Sequence, residues 1–207
     1  MMRAIVIAGG AMSEPAFYRD IIQKDDVIIC ADSGYLNAAK INVTPHWVIG
    51  DFDSSEKADV PQNCNIRVLP VEKDRTDLHE CILHAIRLGA DRILLFGARG
   101  TRLDHSLAAI SLLYMGLSMG VDIGLIDEHN EMFLFANEVH IPKRAGYKLS
   151  LLPLTKVTGI YTKGLYYALS DAEMDWGNPY GVSNEFTEDE AHISIKSGVM
   201  MVSLSRD

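Results

Sequence analysis

The stretch Val27–Asp53, VIICADSGYLNAAKINVTPHWVIGDFD, decides the fold. Its short apolar run Val27–Cys30 reads as a strand that ends at Ala31-Asp32-Ser33-Gly34. Tyr35–Ile41 continues as a helix, and Trp47–Ile49 reads as a further strand ending at Gly50-Asp51-Phe52-Asp53. Strands that alternate with helices imply a mostly parallel sheet covered on both faces.

The same alternation extends in both directions. Upstream, Arg3–Ala8 is a strand that stops at Gly9-Gly10, and Glu14–Lys24 is a helix. Downstream come a strand at Ile66–Leu69, an amphipathic helix at Thr76–Leu88, a strand at Ile93–Phe96, a helix at Asp104–Met115 and a strand at Val121–Ile126. Leu78, Ile82, Ala85 and Ile86 form the apolar stripe of the Thr76–Leu88 helix, and Gly89 stops it. After Glu128 the period changes. Glu131–Phe135, Glu138–Ile141, Tyr147–Leu152, Val157–Thr162, Leu165–Leu169, His192–Ile195 and Val199–Leu204 are strand-like runs separated by turn residues. The expectation is an α/β domain over residues 1–128, with helices on both faces of a mostly parallel sheet. An antiparallel β-sandwich domain over 129–207 follows it.

The chain has 207 residues, a formal net charge of -9, 48% hydrophobic and 23% charged residues, the composition of a globular protein long enough to bury a core. The negative charge argues against a general affinity for nucleic acid or an acidic membrane surface. Placed basic groups and metal ions could still screen a nucleotide. The apolar run Ala4–Ala8 reads as a strand rather than a leader. No stretch reaches the ~18 apolar residues of a membrane span. Cys30, Cys64 and Cys81 are odd in number and show no CxxC spacing, which fits a reducing cytosol better than a disulfide framework or a zinc site. A cytoplasmic protein is expected.

The acidic residues fall where strands end. Asp32 follows the second strand, Asp51 and Asp53 the third, and Asp104 follows the fifth after a glycine-containing loop. The carboxyl ends of strands in an open parallel sheet share one edge, and ligands bind in the crevice there. Crowded carboxylates repel one another, and a divalent cation relieves that; oxygen ligands without Cys or His favour Mg²⁺. Any single Asp could instead be a turn former or a helix cap. Asp51-Phe52-Asp53 is harder to dismiss, since alternate carboxylates in an extended chain point the same way.

Two segments supply complementary groups. Lys73-Asp74-Arg75-Thr76-Asp77 precedes the amphipathic helix; it reads either as a charged loop with Thr76 as cap, or as placing Asp77 at the site with Lys73 near phosphate. Gly97-Ala98-Arg99-Gly100-Thr101-Arg102-Leu103-Asp104-His105 puts glycines between a strand and a helix, where backbone N–H groups can approach an anion. Arg102 can grip phosphate with two hydrogen bonds or hold Asp104. His105 reads as a packing or capping residue rather than a general base. The segment is not a Walker P-loop, because the terminal Gly-Lys-Ser/Thr is missing.

Taken in order, Gly50-Asp51-Phe52-Asp53-Ser54, Lys73-Asp74-x-Thr76-Asp77 and Gly97-Ala98-x-Gly100-x-Arg102-Leu103-Asp104-His105 resemble the motifs of the thiamine pyrophosphokinases. Ala31-Asp32-Ser33-Gly34, Gly164-Leu165-x-Tyr167 and Gly181-Val182-Ser183-Asn184-Glu185 are similar to further signatures of that family, so the resemblance spans the chain. Ser33, His46 and Thr101 depart from the family pattern; the carboxylates and Arg102 do not. The resemblance implies transfer of pyrophosphate from ATP to the thiamine hydroxyl, with Mg²⁺ as cofactor and ATP as co-substrate. It also implies a homodimer with the thiamine site between subunits.

Carried onto this chain, Asp51, Asp53 and Asp77 would hold the metal. Asp32, Lys73, Asp74, Gly100, Thr101 and Arg102 would meet the nucleotide, and Arg102 would stabilise charge. Asp104 would orient thiamine or accept its proton, while Ser183, Asn184 and an aromatic face, Trp176 or Tyr180, would lie on the thiamine side. The rival readings are a pyrophosphokinase for another alcohol, such as a hydroxymethylpterin, and a non-catalytic nucleotide or thiamine diphosphate sensor.

Overall fold

The computed structural model describes residues 2–52 and 61–207, and the chain divides into two compact units, Met1–Glu128 and His129–Asp207. The first unit is built on β1 (Arg3–Ile7), whose Ala4, Ile5, Val6 and Ile7 are fully buried. On one side β1 pairs in parallel with β2 (Val27–Ala31), which leads to β3 (Trp47–Gly50) and β4 (Asn65–Val68). On the other it pairs in parallel with β5 (Arg92–Phe96), which is followed by β6 (Asp122–Ile126). The spatial order is therefore β6-β5-β1-β2-β3-β4, and the direction of connection reverses between β1 and β5.

Both parities of the central strands are buried, which is why they read as continuous apolar runs rather than alternating ones. Ile5, Ile7, Ile28, Cys30, Val48, Leu94 and Phe96 form one face, packed with Tyr18 from α1 (Pro15–Ile21) and with Tyr35 and Ala38 from α2 (Gly34–Lys40). The α3 helix (Asp77–Arg87) buries Cys81, Ile82 and Ala85 and packs on β1, β2 and β3. The α4 helix (Leu103–Ser118) buries Ala109, Leu112, Leu113 and Gly116 and packs on β6. Helix α1 ends earlier than its sequence pattern extends. Arg3 donates to the Ile21 carbonyl at 2.8 Å and pairs with Asp26 at 2.6 Å, and Asp26 accepts from the Gln23 N–H at 2.7 Å, so the chain turns out before Lys24.

The strands of the second unit pair antiparallel. One sheet has the order β12-β9-β14-β7, from β7 (Asn130–Phe135), β9 (Lys148–Pro153), β12 (Gly181–Asn184) and β14 (Met200–Ser205). The other has the order β11-β10-β13-β8, from β8 (Glu138–Pro142), β10 (Val157–Lys163), β11 (Ala172–Met174) and β13 (Glu190–Ser194). Leu149, Leu151, Met200, Val202 and Leu204 of the first share one core with Ile141, Ile160, Met174, Ala191 and Ile193 of the second, the packing of a sandwich.

Leu165–Leu169 is not a strand, contrary to its apolar run. The Asn184 side chain takes the place of a ladder: its Oδ1 accepts from the Tyr167 N–H and its Nδ2 donates to the Tyr167 carbonyl, both at 3.0 Å. The backbone is satisfied without a neighbouring strand. The pairing falls instead to the short β11 and β12, which the sequence pattern did not single out.

At the end of β6 the buried Glu128 ties the start of α1 to the sheet. Its carboxylate accepts from the Ser13 N–H, from the Glu14 N–H at 2.9 Å and from the Tyr18 hydroxyl at 2.8 Å. Burial raises the Glu128 carboxyl, but these donors outweigh it and hold the group below its usual range. A depressed carboxyl stabilises the fold above its unfolded value and stops doing so as pH falls through the folded one. Glu128→Ala leaves buried donors without an acceptor and is expected to lower the unfolding free energy by roughly 2–4 kcal/mol at pH 7. The difference should shrink at pH values below about 4. Urea unfolding at pH 7 and at acid pH checks this; equal stability of the two proteins at pH 7 would contradict it.

Candidate active site

A cleft of about 610 Å³ opens at the carboxyl edge of the first unit's sheet. It lies where the connections reverse, between the turn after β1 (Ala8-Gly9-Gly10) and the loop after β5 (Gly97–Arg102). Asp32 and Ser33 after β2, Thr76 and Asp77 at the start of α3, and Asp104 and His105 at the start of α4 complete the wall.

The turn can pass this close to its neighbours only without side chains. A Cβ on Gly10 would overlap the carbonyl oxygens of Gly97 and Arg99, and one on Gly34 would overlap that of Ile7. The turn is held by Asn37 of α2, a residue only 4% exposed. Its Nδ2 donates to the carbonyls of Ala8 and Gly10, each at 2.8 Å, and its Oδ1 accepts from Lys40 Nζ at 3.1 Å. These three hydrogen bonds fix the orientation of the Asn37 amide.

On the β2–β3 side the structure gathers three carboxylates. Lys73 Nζ pairs with Asp51 and also lies 3.0 Å from Asp77 Oδ1. Thr76 caps α3 by accepting from the His79 N–H at 3.3 Å, which fixes Asp77 as the first residue of the helix. The Asp77–Lys73 approach is an ion pair without hydrogen-bond geometry, so the buried Asp77 Oδ1 has no proton donor among the described residues. Burial raises the Asp77 carboxyl, the charges of Asp51 and Asp32 add to that, and Lys73 opposes it. Burial works against the Lys73 charge, but its hydrogen bond to Asp51 and the nearby negative charge of Asp77 prevail and hold its ammonium above the usual range.

Asp51 and Lys73 do not themselves line the cleft; they stand behind Asp77. Asp53, assigned to the metal on sequence grounds, lies outside the described residues. Among the described residues no three His, Cys, Asp or Glu side chains converge closely enough to hold a metal ion.

On the β5 side Arg102 does hold Asp104. Its Nε and a terminal nitrogen donate to the two carboxylate oxygens at 3.2 and 2.6 Å, on an exposed rim. This keeps the Asp104 carboxyl below its usual range. Gly100 and Thr101 line the cleft; the Gly100 N–H points to Ser106 Oγ at 3.5 Å. Asp74 is exposed and does not line the cleft. His105, read as packing or capping, is exposed on the wall near the start of α4, so it does not pack in the core.

The residues assigned to the thiamine side belong to the second unit. Trp176 is 70% exposed, and Tyr180 is fixed by a bond from its hydroxyl to the Glu173 carbonyl at 2.7 Å. Ser183 adopts a φ of 60°, with its N–H on Ser150 Oγ at 3.0 Å. Asn184 is buried, and its Oδ1 also accepts from the Glu185 N–H at 2.9 Å, so most of its amide is used inside the chain.

Arg99 and its partner Asp127 at the end of β6, 2.5 Å apart, were not singled out from sequence, nor were Glu128 and Asn37. Asp127 and Glu128 follow a strand just as Asp32 does, and the same rule applied to the sixth strand would have found them. Asn37 carries no such signal, because only the register of α2 puts it beneath the turn.

The family model for "Thiamin pyrophosphokinase, catalytic domain" matches residues 18–124, and that for "Thiamin pyrophosphokinase, vitamin B1 binding domain" matches residues 136–200. The thiamine pyrophosphokinase of Bacillus subtilis is 27% identical over 209 residues, spanning 98% of both chains. A crystal structure of the Bacillus subtilis enzyme superposes with a TM-score of 0.90 at 26% identity, covering 99% of each chain. One from Geobacillus thermodenitrificans gives 0.86 at 26% identity, covering 100% of this chain and 98% of that one.

The charge arrangement around Lys73 is testable without any assay of chemistry. Lys73→Met removes the cation that Asp51 and Asp77 share. With metal removed by EDTA, the variant is expected to melt roughly 3–8 °C below the wild type, for a loss of about 1–2 kcal/mol from a partly buried pair. Millimolar MgCl₂ should restore part of that loss. Identical melting curves in EDTA would show that the pair contributes nothing.

Proposed function

Since the chain belongs to the thiamine pyrophosphokinase family, we infer that it transfers the terminal pyrophosphoryl group of ATP to the hydroxyl of thiamine, giving thiamine diphosphate and AMP. The observation that carries the reading is the buried, undonated oxygen of Asp77. It lies beside Asp51 and within the field of Asp32, at the edge of a glycine-walled cleft. A protein gains nothing from crowding carboxylates there unless a cation and its anionic ligand occupy the site.

These hard oxygen donors fit Mg²⁺. Asp51 and Asp77 would hold it, with Asp53 as the expected third ligand. Bound there, the ion would supply positive charge to offset the negative charge that develops during the transfer. The chain's own groups do the remaining work. Lys73, Asp32, Gly100, Thr101 and Arg102 take the nucleotide side, and the Asn37-held turn gives the polyphosphate a rigid wall. The thiamine hydroxyl attacks the β-phosphorus, its proton passing to solvent water, the bond from that phosphorus to the α-phosphate oxygen breaks, and AMP leaves. Alignment and charge stabilisation are the main requirements of such a transfer. Asp104, kept ionised by Arg102, is a poor proton acceptor and a good counter-charge for the cationic thiazolium.

On the thiamine side we assign Trp176 to stacking and Ser183 to a polar contact. Asn184 acts as a positioning residue that fixes Tyr167. The match of residues 136–200 to a vitamin B1 binding domain favours thiamine over a pterin alcohol. We further propose a cytoplasmic enzyme, in keeping with three free cysteines, Cys30, Cys64 and Cys81. No helix among the described residues is long and apolar enough to cross a membrane. Exposed Leu103, Leu107 and Tyr114 on α4, and Trp176 and Val182 in the second unit, are surfaces that a second copy would cover in a homodimer sharing its thiamine sites.

Incubation with ATP, MgCl₂ and thiamine is expected to yield thiamine diphosphate and AMP by mass spectrometry. Ligand binding with no AMP formed would favour a sensor, and AMP formed only with a pterin alcohol the related transferase. Asp51→Asn is expected to lower turnover by at least ~100-fold, because metal positioning carries much of phosphoryl-transfer catalysis. Wild-type turnover of that variant at saturating MgCl₂ would remove Asp51 from the site. Sedimentation equilibrium should give a dimer.

A further inference from the structure

Arg99 lines the cleft but has no part in the reaction as set out above. Its Nε donates to Asp127 Oδ2 at 2.5 Å; the Asp127 side chain is 5% exposed, whereas that of Arg99 is 49% exposed. A guanidinium offers five N–H donors and Nε uses one. Among the described residues the terminal nitrogens of Arg99 meet no acceptor, so a planar fork with a fixed stem is presented at the cleft. Arg102 differs, because both arms of its fork already grip Asp104.

Charge is unevenly distributed along this edge. The carboxylates Asp32, Asp51 and Asp77 gather at β2, β3 and α3, while both arginines follow β5, and β6 supplies the buried Asp127. A cation held by the carboxylates neutralises the phosphates near it. A triphosphate laid across the cleft also carries charge at its other end, where the N–H fork is a better partner than a carboxylate-rich wall. We propose that Arg99, aimed by Asp127, binds phosphate oxygens of the nucleotide at the end of the chain remote from the Asp51–Asp77 pair. This rests on the reading of the cleft as an ATP site. It makes Asp127 a positioning residue that fixes the fork rather than one that touches the nucleotide.

The test uses inorganic tripolyphosphate, which has the phosphates without adenosine, and adenosine, which has the reverse, as inhibitors against ATP in the full chain with MgCl₂. Arg99→Ala should weaken tripolyphosphate inhibition about 10–100-fold, the worth of a charge-assisted contact. Adenosine inhibition and the KM for thiamine should stay unchanged. Arg99→Lys should lose part of the effect, and Asp127→Asn should fall between wild type and Arg99→Ala, because the charge remains while its aim is lost. Unchanged tripolyphosphate inhibition in Arg99→Ala overturns the proposal. So does an equal weakening of tripolyphosphate, adenosine and thiamine, which would mean that the ion pair only braces the loop. Calorimetric titration of wild type and Arg99→Ala with tripolyphosphate runs alongside and decides the role of Arg99 without turnover. A wild type that binds tripolyphosphate through Arg99 yet forms no thiamine diphosphate would refute the assigned reaction alone.

Discussion

The site depends on how closely three backbone segments can approach one another at the end of β1. The turn through Gly10 runs against the carbonyls of Gly97 and Arg99, and the start of α2 at Gly34 runs against that of Ile7. A single added carbon at either place would push the loops apart. Because they do not part, one buried amide, Asn37, can bridge the Ala8 and Gly10 carbonyls from below. Glu128 collects the Ser13 and Glu14 N–H groups on the far side of the same turn. The segment between β1 and α1 is therefore fixed at both ends by buried polar groups whose partners are backbone. That gives it a unique course without requiring an apolar anchor in the cleft.

Rigidity of the wall matters because the interior is electrostatically unfavourable. Asp77 is partly desolvated with Asp51 and Asp32 close by, and Lys73 is the cation that makes the arrangement tolerable. Lys73 comes from the loop before α3, and the Thr76 cap sets the start of that helix. Local helix-capping chemistry thus places a charge that serves the fold while the site waits for its ligand. The same ammonium lies close to where a metal ion and a polyphosphate would bring their own charges. Lys73 is accordingly part of the site's balance in either state.

Much of this was legible in the sequence where burial enforces a pattern. The first unit's strands are apolar on both faces, so their runs, and the carboxylates at their ends, announce a parallel sheet and its ligand edge. Asp32, Asp77, Arg102 and Asp104 all line the cleft, and Asp51 stands just behind it. The failures have one physical cause: side chains that replace backbone pairing leave no periodic trace. Leu165–Leu169 is as apolar as a strand, yet Asn184 takes both backbone groups of Tyr167. A polar residue at the middle of α2 looks solvent-facing until the register puts Asn37 under the turn. Asp127 and Glu128 follow β6 at the change from the α/β alternation to consecutive strands, so their place at the sheet edge is masked by the boundary between the two patterns.

The two carboxylates on opposite sides of the cleft are driven in opposite directions, and that divides their roles. Asp77 is partly buried near like charges and is pushed up, so it is the group that would gain most from a cation. Asp104 is exposed, paired at both oxygens with Arg102 and held below its usual range by that pair. A group that stays ionised suits recognition of a cationic ring; a group whose charge depends on its company suits a metal. Arg102 is the hinge between these roles. A polyphosphate in the proposed nucleotide site would compete with Asp104 for the same guanidinium, and a shift of Arg102 toward phosphate would relax the constraint that holds the Asp104 carboxyl down.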